Sequence, residues 1–77
     1  MIDMRDSKWR YDFGTRLYHA RVAKGMSQKD LGKLIGLHKN TISTYEMGYH
    51  EPTLHNFARM CDALKMSADE LLGRDDR

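Results

Sequence analysis

The sequence predicts an all-α fold, a compact bundle of five short helices in one domain. Three observations support it: apolar residues recur at helical spacing, residues that begin and end helices divide the chain into five segments, and the alternating pattern of a strand is missing. The chain has 77 residues, and a domain this small buries only about 60% of its unfolded surface. Its core therefore has to pack efficiently, which a helical bundle allows.

The first helix is predicted to begin at Asp12, which can cap it, and to end near Lys24 and Gly25. One face carries apolar residues at core spacing, namely Phe13, Leu17 and Ala20. Residues 1–10 are expected to form a flexible N-terminal segment, in which Trp9 either braces the bundle or belongs to a frayed terminus.

The second helix has signals at both ends. Ser27 and Asp30 have the spacing of a capping box, and Gly36 can adopt the left-handed conformation that ends a helix. Two large apolar residues share the core face: Leu31 and Ile35. Because a glycine inside a helix costs about 0.5 to 1 kcal/mol relative to alanine, Gly32 predicts that the following helix crosses closely at this point.

The third helix is predicted to run from about Lys39 to Met47, before Gly48. At about 100° per residue, one side of it carries Thr41, Ile42, Tyr45 and Glu46. The other side carries Lys39, Asn40, Ser43, Thr44 and Met47. A cation, an amide and hydroxyls, without an acid, can hydrogen-bond to base edges and phosphates in a DNA major groove. Most polar helix faces meet only water, but next to a packed helix pair this face favours a DNA-reading unit.

The last two helices follow Pro52, which stops any continuation of the third. Thr53 can cap the fourth helix, whose predicted core stripe is Leu54, Phe57, Ala58, Cys61 and Leu64. Ser67 and Glu70 form a second capping box for a fifth helix, which has two apolar residues, Leu71 and Leu72. Residues 74–77 are predicted to be a charged tail.

Composition excludes several classes of protein. The net charge is only +2, with the excess between Tyr11 and Pro52 (six basic and four acidic residues), which is a mild basic footprint. A single cysteine, Cys61, excludes an internal disulfide and favours a reducing cytoplasm. No apolar run approaches the roughly 20 residues of a membrane span, and no signal-peptide pattern opens the chain. The four histidines lack the spacing of metal ligands, so no metal or cofactor is expected.

The segments FGTRLYHARVAKGMSQKDLGKLIG, LHKNTISTYEMG and EPTLHNFARMCDALKMSADELLG resemble, in this order, the Cro and lambda-type repressor helix-turn-helix family, also called the xenobiotic-response-element family. The resemblance covers about Phe13 to Gly73. It implies a lambda repressor-like DNA-binding domain over residues 11–73, with the second and third helices as the reading unit. It also implies a transcriptional regulator, like phage repressors or restriction-modification controllers, that binds a palindromic operator in double-stranded DNA as a homodimer.

The resemblance assigns roles to individual residues. Five side chains are expected to contact bases: Lys39, Asn40, Thr44, Ser43 and His38. Lys39 could equally take a phosphate. The start of the second helix is expected to hold phosphates, through Gln28 with Ser27 and Lys29. Arg21 and Glu46 match a family pair that joins the first helix to the end of the third. Because Glu46 falls on the packed side, where a lone carboxylate is costly, it needs a partner, and Arg21 is that partner. This structural role is preferred to a catalytic one, because no nucleophile or paired acid accompanies Glu46.

Two positions depart from the family pattern. His38 stands where the family usually has serine or threonine, so it either weakens the start of the third helix or contacts DNA. Met47 stands beside polar residues, where it either touches a thymine methyl or deoxyribose or is an idle surface residue.

The expected homodimer interface lies in the fourth and fifth helices, with Leu71, Leu72 and the tail. No enzyme is expected, because no set of nucleophile, base and oxyanion donors is present, and neither a small-molecule ligand nor a membrane partner is expected. The alternative function is an antitoxin or another protein-interaction module on the same fold.

Overall fold

The computed structural model describes residues 7–74, which form five helices. They are α1 (Ser7–Ala23), α2 (Gln28–Ile35), α3 (Lys39–Glu46), α4 (Leu54–Leu64) and α5 (Ala68–Leu72). No strand occurs between residues 7 and 74, so the predicted all-α fold is confirmed. Within this range no helix is both long enough and apolar enough to cross a bilayer. Those parts of the predicted N-terminal segment and charged tail that fall on residues 1–6 and 75–77 lie outside the described residues.

Helix α1 begins earlier than the sequence predicts. It starts at Ser7, so Asp12 lies inside the helix rather than at its cap, and that prediction is wrong. The physical reason is aromatic packing: the ring of Trp9 stacks on Phe13, with centroids 5.9 Å apart, and Trp9 packs against the core. Asp12 instead accepts a hydrogen bond from Nζ of Lys8, one turn earlier, at 2.8 Å. The helix therefore extends into the predicted N-terminal segment.

The capping box of α2 is confirmed. The Ser27 hydroxyl accepts a hydrogen bond from the backbone N–H of Asp30, and the Asp30 carboxylate accepts one from the backbone N–H of Ser27, each at 3.0 Å. The bond from the Ser27 backbone holds the pKa of the Asp30 carboxyl below its usual value. At the other end, Gly36 has φ 76° and ends the helix as predicted.

Gly32 is close to the turn after α2, not to the next helix. A Cβ at Gly32 would collide with the carbonyl oxygen of Leu37, whose backbone N–H donates to the Gly32 carbonyl at 2.8 Å. This corrects the prediction of a helix crossing at Gly32. The glycine instead allows a tight turn, which sets where α3 begins.

The core face of α4 differs from the predicted stripe at three positions. Leu54 is 83% exposed and Ala58 is exposed, whereas Met60 is fully buried. Leu54 is the first residue of α4 and lies at the edge of the core, beside Phe57 and Leu72. The face that packs is therefore Phe57, Met60, Cys61 and Leu64.

Helix α5 begins at its predicted capping box, in which the Ser67 hydroxyl accepts from the Glu70 backbone N–H at 3.1 Å. Leu71 is fully buried, so it is not available to a partner, and its predicted place in a dimer interface is wrong. Leu72 beside it is only half-buried. The apolar face of this short helix therefore packs mainly into the core.

The core holds residues from all five helices: Phe13, Leu17, Leu31, Ile35, Ile42, Tyr45, Met60, Leu64 and Leu71. Helix α3 packs mainly against α1 and α2, while α4 and α5 pack against each other and against α2 and α1 respectively. At Gly14, α1 approaches the backbone of α3 directly, because a Cβ there would collide with the carbonyl oxygens of Tyr45 and Glu46. This close approach fixes the end of α3 against α1.

We predict that Gly14→Ala lowers the free energy of unfolding by about 1 to 3 kcal/mol, because the methyl group would push two α3 carbonyls away from α1. Urea unfolding measures the change. Gly25→Asn is the control and is expected to cost less, since nothing lies within 4 Å of the missing Cβ of Gly25 and asparagine tolerates its φ of 71°. Equal stability of Gly14→Ala and wild type would contradict the close approach.

Candidate nucleic-acid interface

Helix α3 turns its apolar side inward and its polar side outward. Ile42 is fully buried and Tyr45 is only 6% exposed, as the helical wheel predicts. On the other side Lys39 and Asn40 are exposed, and the neighbouring hydroxyl residues Ser43 and Thr44 are half-buried. Helix α3 packs mainly against α1 and α2, and Lys39 and Asn40 on its polar side remain open to solvent.

His38 caps the start of α3. Its Nδ1 accepts a hydrogen bond from the backbone N–H of Asn40 at 3.0 Å, and its own backbone is extended, as at an N-cap. The side chain remains exposed. Histidine therefore performs here the capping role for which serine or threonine was expected, and the helix start is not left open.

The two hydroxyls on the polar side of α3 lie next to acceptors of α3 and its C-cap residue. Thr44 Oγ1 donates to the carbonyl oxygen of Thr41 at 2.7 Å, and Ser43 Oγ lies 3.9 Å from Sδ of Met47. Each hydroxyl oxygen also carries two lone pairs, which these contacts leave unused. They can therefore accept hydrogen bonds from amino groups, such as those on adenine and cytosine edges.

The start of α2 keeps two backbone donors. The capping box uses the N–H groups of Ser27 and Asp30, whereas those of Gln28 and Lys29 have no partner within residues 7–74. Unpaired N–H groups and the helix dipole together favour an anionic oxygen at this end. Gln28 is half-buried and Lys29 is exposed beside it.

Arg21 and Glu46 form a buried, doubly hydrogen-bonded ion pair. Arg21 Nε lies 2.6 Å from Glu46 Oε2, and Nη2 lies 3.1 Å from Oε1. Both side chains are largely buried, at 9% and 5% exposure respectively. The hydrogen bond to Glu46 raises the pKa of Arg21, so the guanidinium stays charged. Arg21 also donates to the carbonyl oxygen of Met26 at 2.8 Å, which ties the α1–α2 loop to the same pair.

Two further contacts were not predicted from the sequence. Nε2 of Gln28 donates to Oε1 of Glu46 at 3.0 Å, so α2 also joins the ion pair. Nε of Arg10 donates to the carbonyl oxygen of Gly48 at 3.1 Å, which holds the segment after α3 against α1. Arg10 was missed because α1 was expected to begin only at Asp12, whereas it begins at Ser7. The Gln28 contact had no sequence signal, because it depends on how α2 and α3 meet in space.

The described residues show no arrangement suited to metal binding or to an activated thiol. No group of three or more His, Cys, Asp or Glu comes together between residues 7 and 74. Burial raises the pKa of the Cys61 thiol, which disfavours the nucleophilic thiolate.

Comparison with known proteins places these features in a family. The family model described as Helix-turn-helix matches residues 17–71. The chain belongs to the helix-turn-helix family. The match begins within α1 and ends within α5, so it covers the α2–α3 pair and the helices against which this pair packs.

One curated relative in this helix-turn-helix family is the HTH-type transcriptional regulator AnsR of Bacillus subtilis (strain 168). It is 38% identical over 60 residues, which are 78% of this chain and 52% of AnsR. The chain thus spans about half the length of AnsR.

Two solved structures share the fold over most of both chains. The restriction-modification controller protein C.AhdI of Aeromonas hydrophila is 36% identical, with a TM-score of 0.76 over 79% of this chain and 92% of C.AhdI. The P22 c2 repressor, solved in complex with a synthetic operator, is 33% identical, with a TM-score of 0.77 over 82% of this chain and 96% of the repressor.

We predict that Glu46→Ala lowers the free energy of unfolding by about 3 to 5 kcal/mol, because it leaves the guanidinium of Arg21 buried without its anion. Urea unfolding checks this. Asp12→Ala is the matched control: it breaks the exposed pair with Lys8 and is expected to cost less than about 1 kcal/mol. Similar losses for the two variants would show that the buried pair is not a major constraint.

Proposed function

We propose that this chain is a sequence-specific DNA-binding transcriptional regulator that places α3 in the major groove. The observation that carries the proposal is the orientation of α3: Ile42 and Tyr45 are buried, while Lys39 and Asn40 stand exposed on an open face. The unpaired N–H groups at the start of α2 lie on the same helix pair. That the P22 c2 repressor, a relative of the same fold, was solved with operator DNA supports this choice of partner.

The exposed side chains of α3 suit base edges. The amide of Asn40 can pair with adenine through two hydrogen bonds, and Lys39 reaches a guanine acceptor or a phosphate. Ser43 and Thr44 present acceptors, as described above. His38 retains Nε2 for DNA, since the cap uses only Nδ1.

Phosphates are held at the start of α2. Gln28 and Lys29 offer backbone N–H groups there, and Lys29 adds a positive charge. Ser27 contributes less than the sequence suggested, because both its backbone N–H and its hydroxyl are engaged in the capping box. Contacts of this kind position the protein without selecting a sequence.

The regulator acts as a homodimer on a palindromic operator. One small domain contacts few bases, whereas two copies related by a two-fold axis read two half-sites about one helical turn apart. The surface we assign to the partner copy is an apolar groove at the start of α4, lined by Trp9, Phe13, Pro52, Leu54, Phe57 and Leu72. Leu54, at 83% exposure, is the residue that a second copy would bury.

We predict that Leu54→Asp dissociates the homodimer, because it places a charge in the apolar contact, with at least a tenfold increase in the dimer Kd. Analytical ultracentrifugation measures this. Leu34→Asp is the matched control, a leucine that is 56% exposed on a different surface, and it should dimerise like wild type. A wild type that stays monomeric at all accessible concentrations, or a dimer broken only by Leu34→Asp, would contradict the assignment.

DNA binding itself is tested with a duplex selected from a random library. For such a regulator we expect binding that weakens steeply as the salt concentration rises. We also expect a preference of at least about a thousandfold for the selected palindrome over mixed-sequence DNA. Asn40→Ala is expected to cost about 1 to 3 kcal/mol on the palindrome and little on mixed-sequence DNA, whereas Gln28→Ala weakens both. Equal losses for Asn40→Ala on the two duplexes would contradict its role in sequence recognition.

A further inference from the structure

A shallow groove lies between α1 and α3, next to the start of α2. Its lining comes from these three helices and from Met47, directly after α3. The residues are Tyr11, Thr15, Tyr18, Gln28, Ser43, Glu46 and Met47. The groove therefore joins the polar side of α3 to the phosphate-holding end of α2. Tyr18 has no part in the proposed function so far.

Tyr18 is held in place by its neighbours. The guanidinium carbon of Arg21 lies 5.3 Å from the centroid of the Tyr18 ring, and His19 packs against the ring edge-on at 5.4 Å. Because Arg21 is itself fixed by Glu46, the ring rests on a rigid support. Tyr18 is nevertheless 46% exposed, and its hydroxyl makes no hydrogen bond within residues 7–74.

Gln28 is oriented by the same ion pair. Because a carboxylate only accepts hydrogen bonds, the amide nitrogen of Gln28 must be the atom that faces Glu46, which it does at 3.0 Å. One N–H of that nitrogen is then used, and the other remains for a ligand. The charge of Glu46 is compensated by Arg21, so no uncompensated anion lines the groove.

We propose that this groove holds one DNA phosphate, which accepts hydrogen bonds from the Tyr18 hydroxyl and from the side-chain amide of Gln28. The inference rests on the proposed function and adds Tyr18 to the DNA contacts. The Arg21–Glu46 pair is then a positioning element, since it orients one donor through its guanidinium and the other through its carboxylate. Two neutral donors in one groove, the Tyr18 hydroxyl and the Gln28 amide, lie near the unpaired backbone N–H groups of α2 and suit an anionic oxygen.

The test uses Tyr18→Phe, which removes the hydroxyl and keeps the ring over Arg21. Its affinity for a short mixed-sequence duplex is expected to fall about three- to tenfold, the loss of one hydrogen bond. The slope of log K against log salt should stay unchanged, because no charge is removed. A thermal melt equal to that of wild type shows that the fold is intact.

A double-mutant cycle with Gln28→Ala tests the shared phosphate. If both side chains hold one phosphate, the losses from Tyr18→Phe and Gln28→Ala are non-additive, whereas those from Tyr49→Phe and Gln28→Ala add. Tyr49 is the matched control, a tyrosine that is 62% exposed and does not line this groove. Wild-type affinity for Tyr18→Phe, or strict additivity with Gln28→Ala, would overturn the inference while leaving the regulator intact. A wild type that does not bind the duplex at low salt would instead overturn the proposed function.

Discussion

The buried ion pair between Arg21 and Glu46 determines which way α3 faces. A lone buried carboxylate or guanidinium is costly, so each group stabilises the bundle only while the other is in place. Because Glu46 is the last residue of α3 and Arg21 lies near the end of α1, a rotation of α3 about its axis would separate them. The backbone contact at Gly14 and the hydrogen bond from Arg10 to the carbonyl of Gly48 act at the same end of α3. The polar side of α3 is thus fixed outward by contacts on its opposite side.

The same pair connects packing to binding. Glu46 accepts from Gln28, and Arg21 supports the ring of Tyr18 and bonds to the loop before α2. A change in the orientation of α3 would therefore displace the Gln28 side chain at the start of α2, where phosphates are expected to bind. In a domain of this size, a single buried network can align the groups proposed to contact bases and phosphates without a second core. Such preorganisation lowers the ordering cost of binding.

Much of the fold follows from local sequence signals. The capping boxes at Ser27 and Ser67 and the left-handed Gly36 gave correct helix boundaries because their geometry depends on a few neighbouring residues. The predictions from sequence were wrong where tertiary contacts determine the ends of a helix or its buried face. Trp9 extends α1 by stacking on Phe13, and Leu54 is exposed although it fits the apolar spacing of α4, because the core ends before it. Of the candidate site, the inward side of α3 could be predicted from the helical wheel. The bond between Gln28 and Glu46 could not, because it depends on how α2 and α3 meet in space.

Our proposal is that the open side of α3 and the start of α2 together form the DNA-binding surface. It is tested most directly by following the backbone amide signals of the protein by NMR during titration with a short mixed-sequence duplex at low salt. We expect the largest shift changes at Gln28, Lys29, Lys39 and Asn40, with small changes along α4 and α5. Largest changes along α4 and α5, with α3 unaffected, would contradict it.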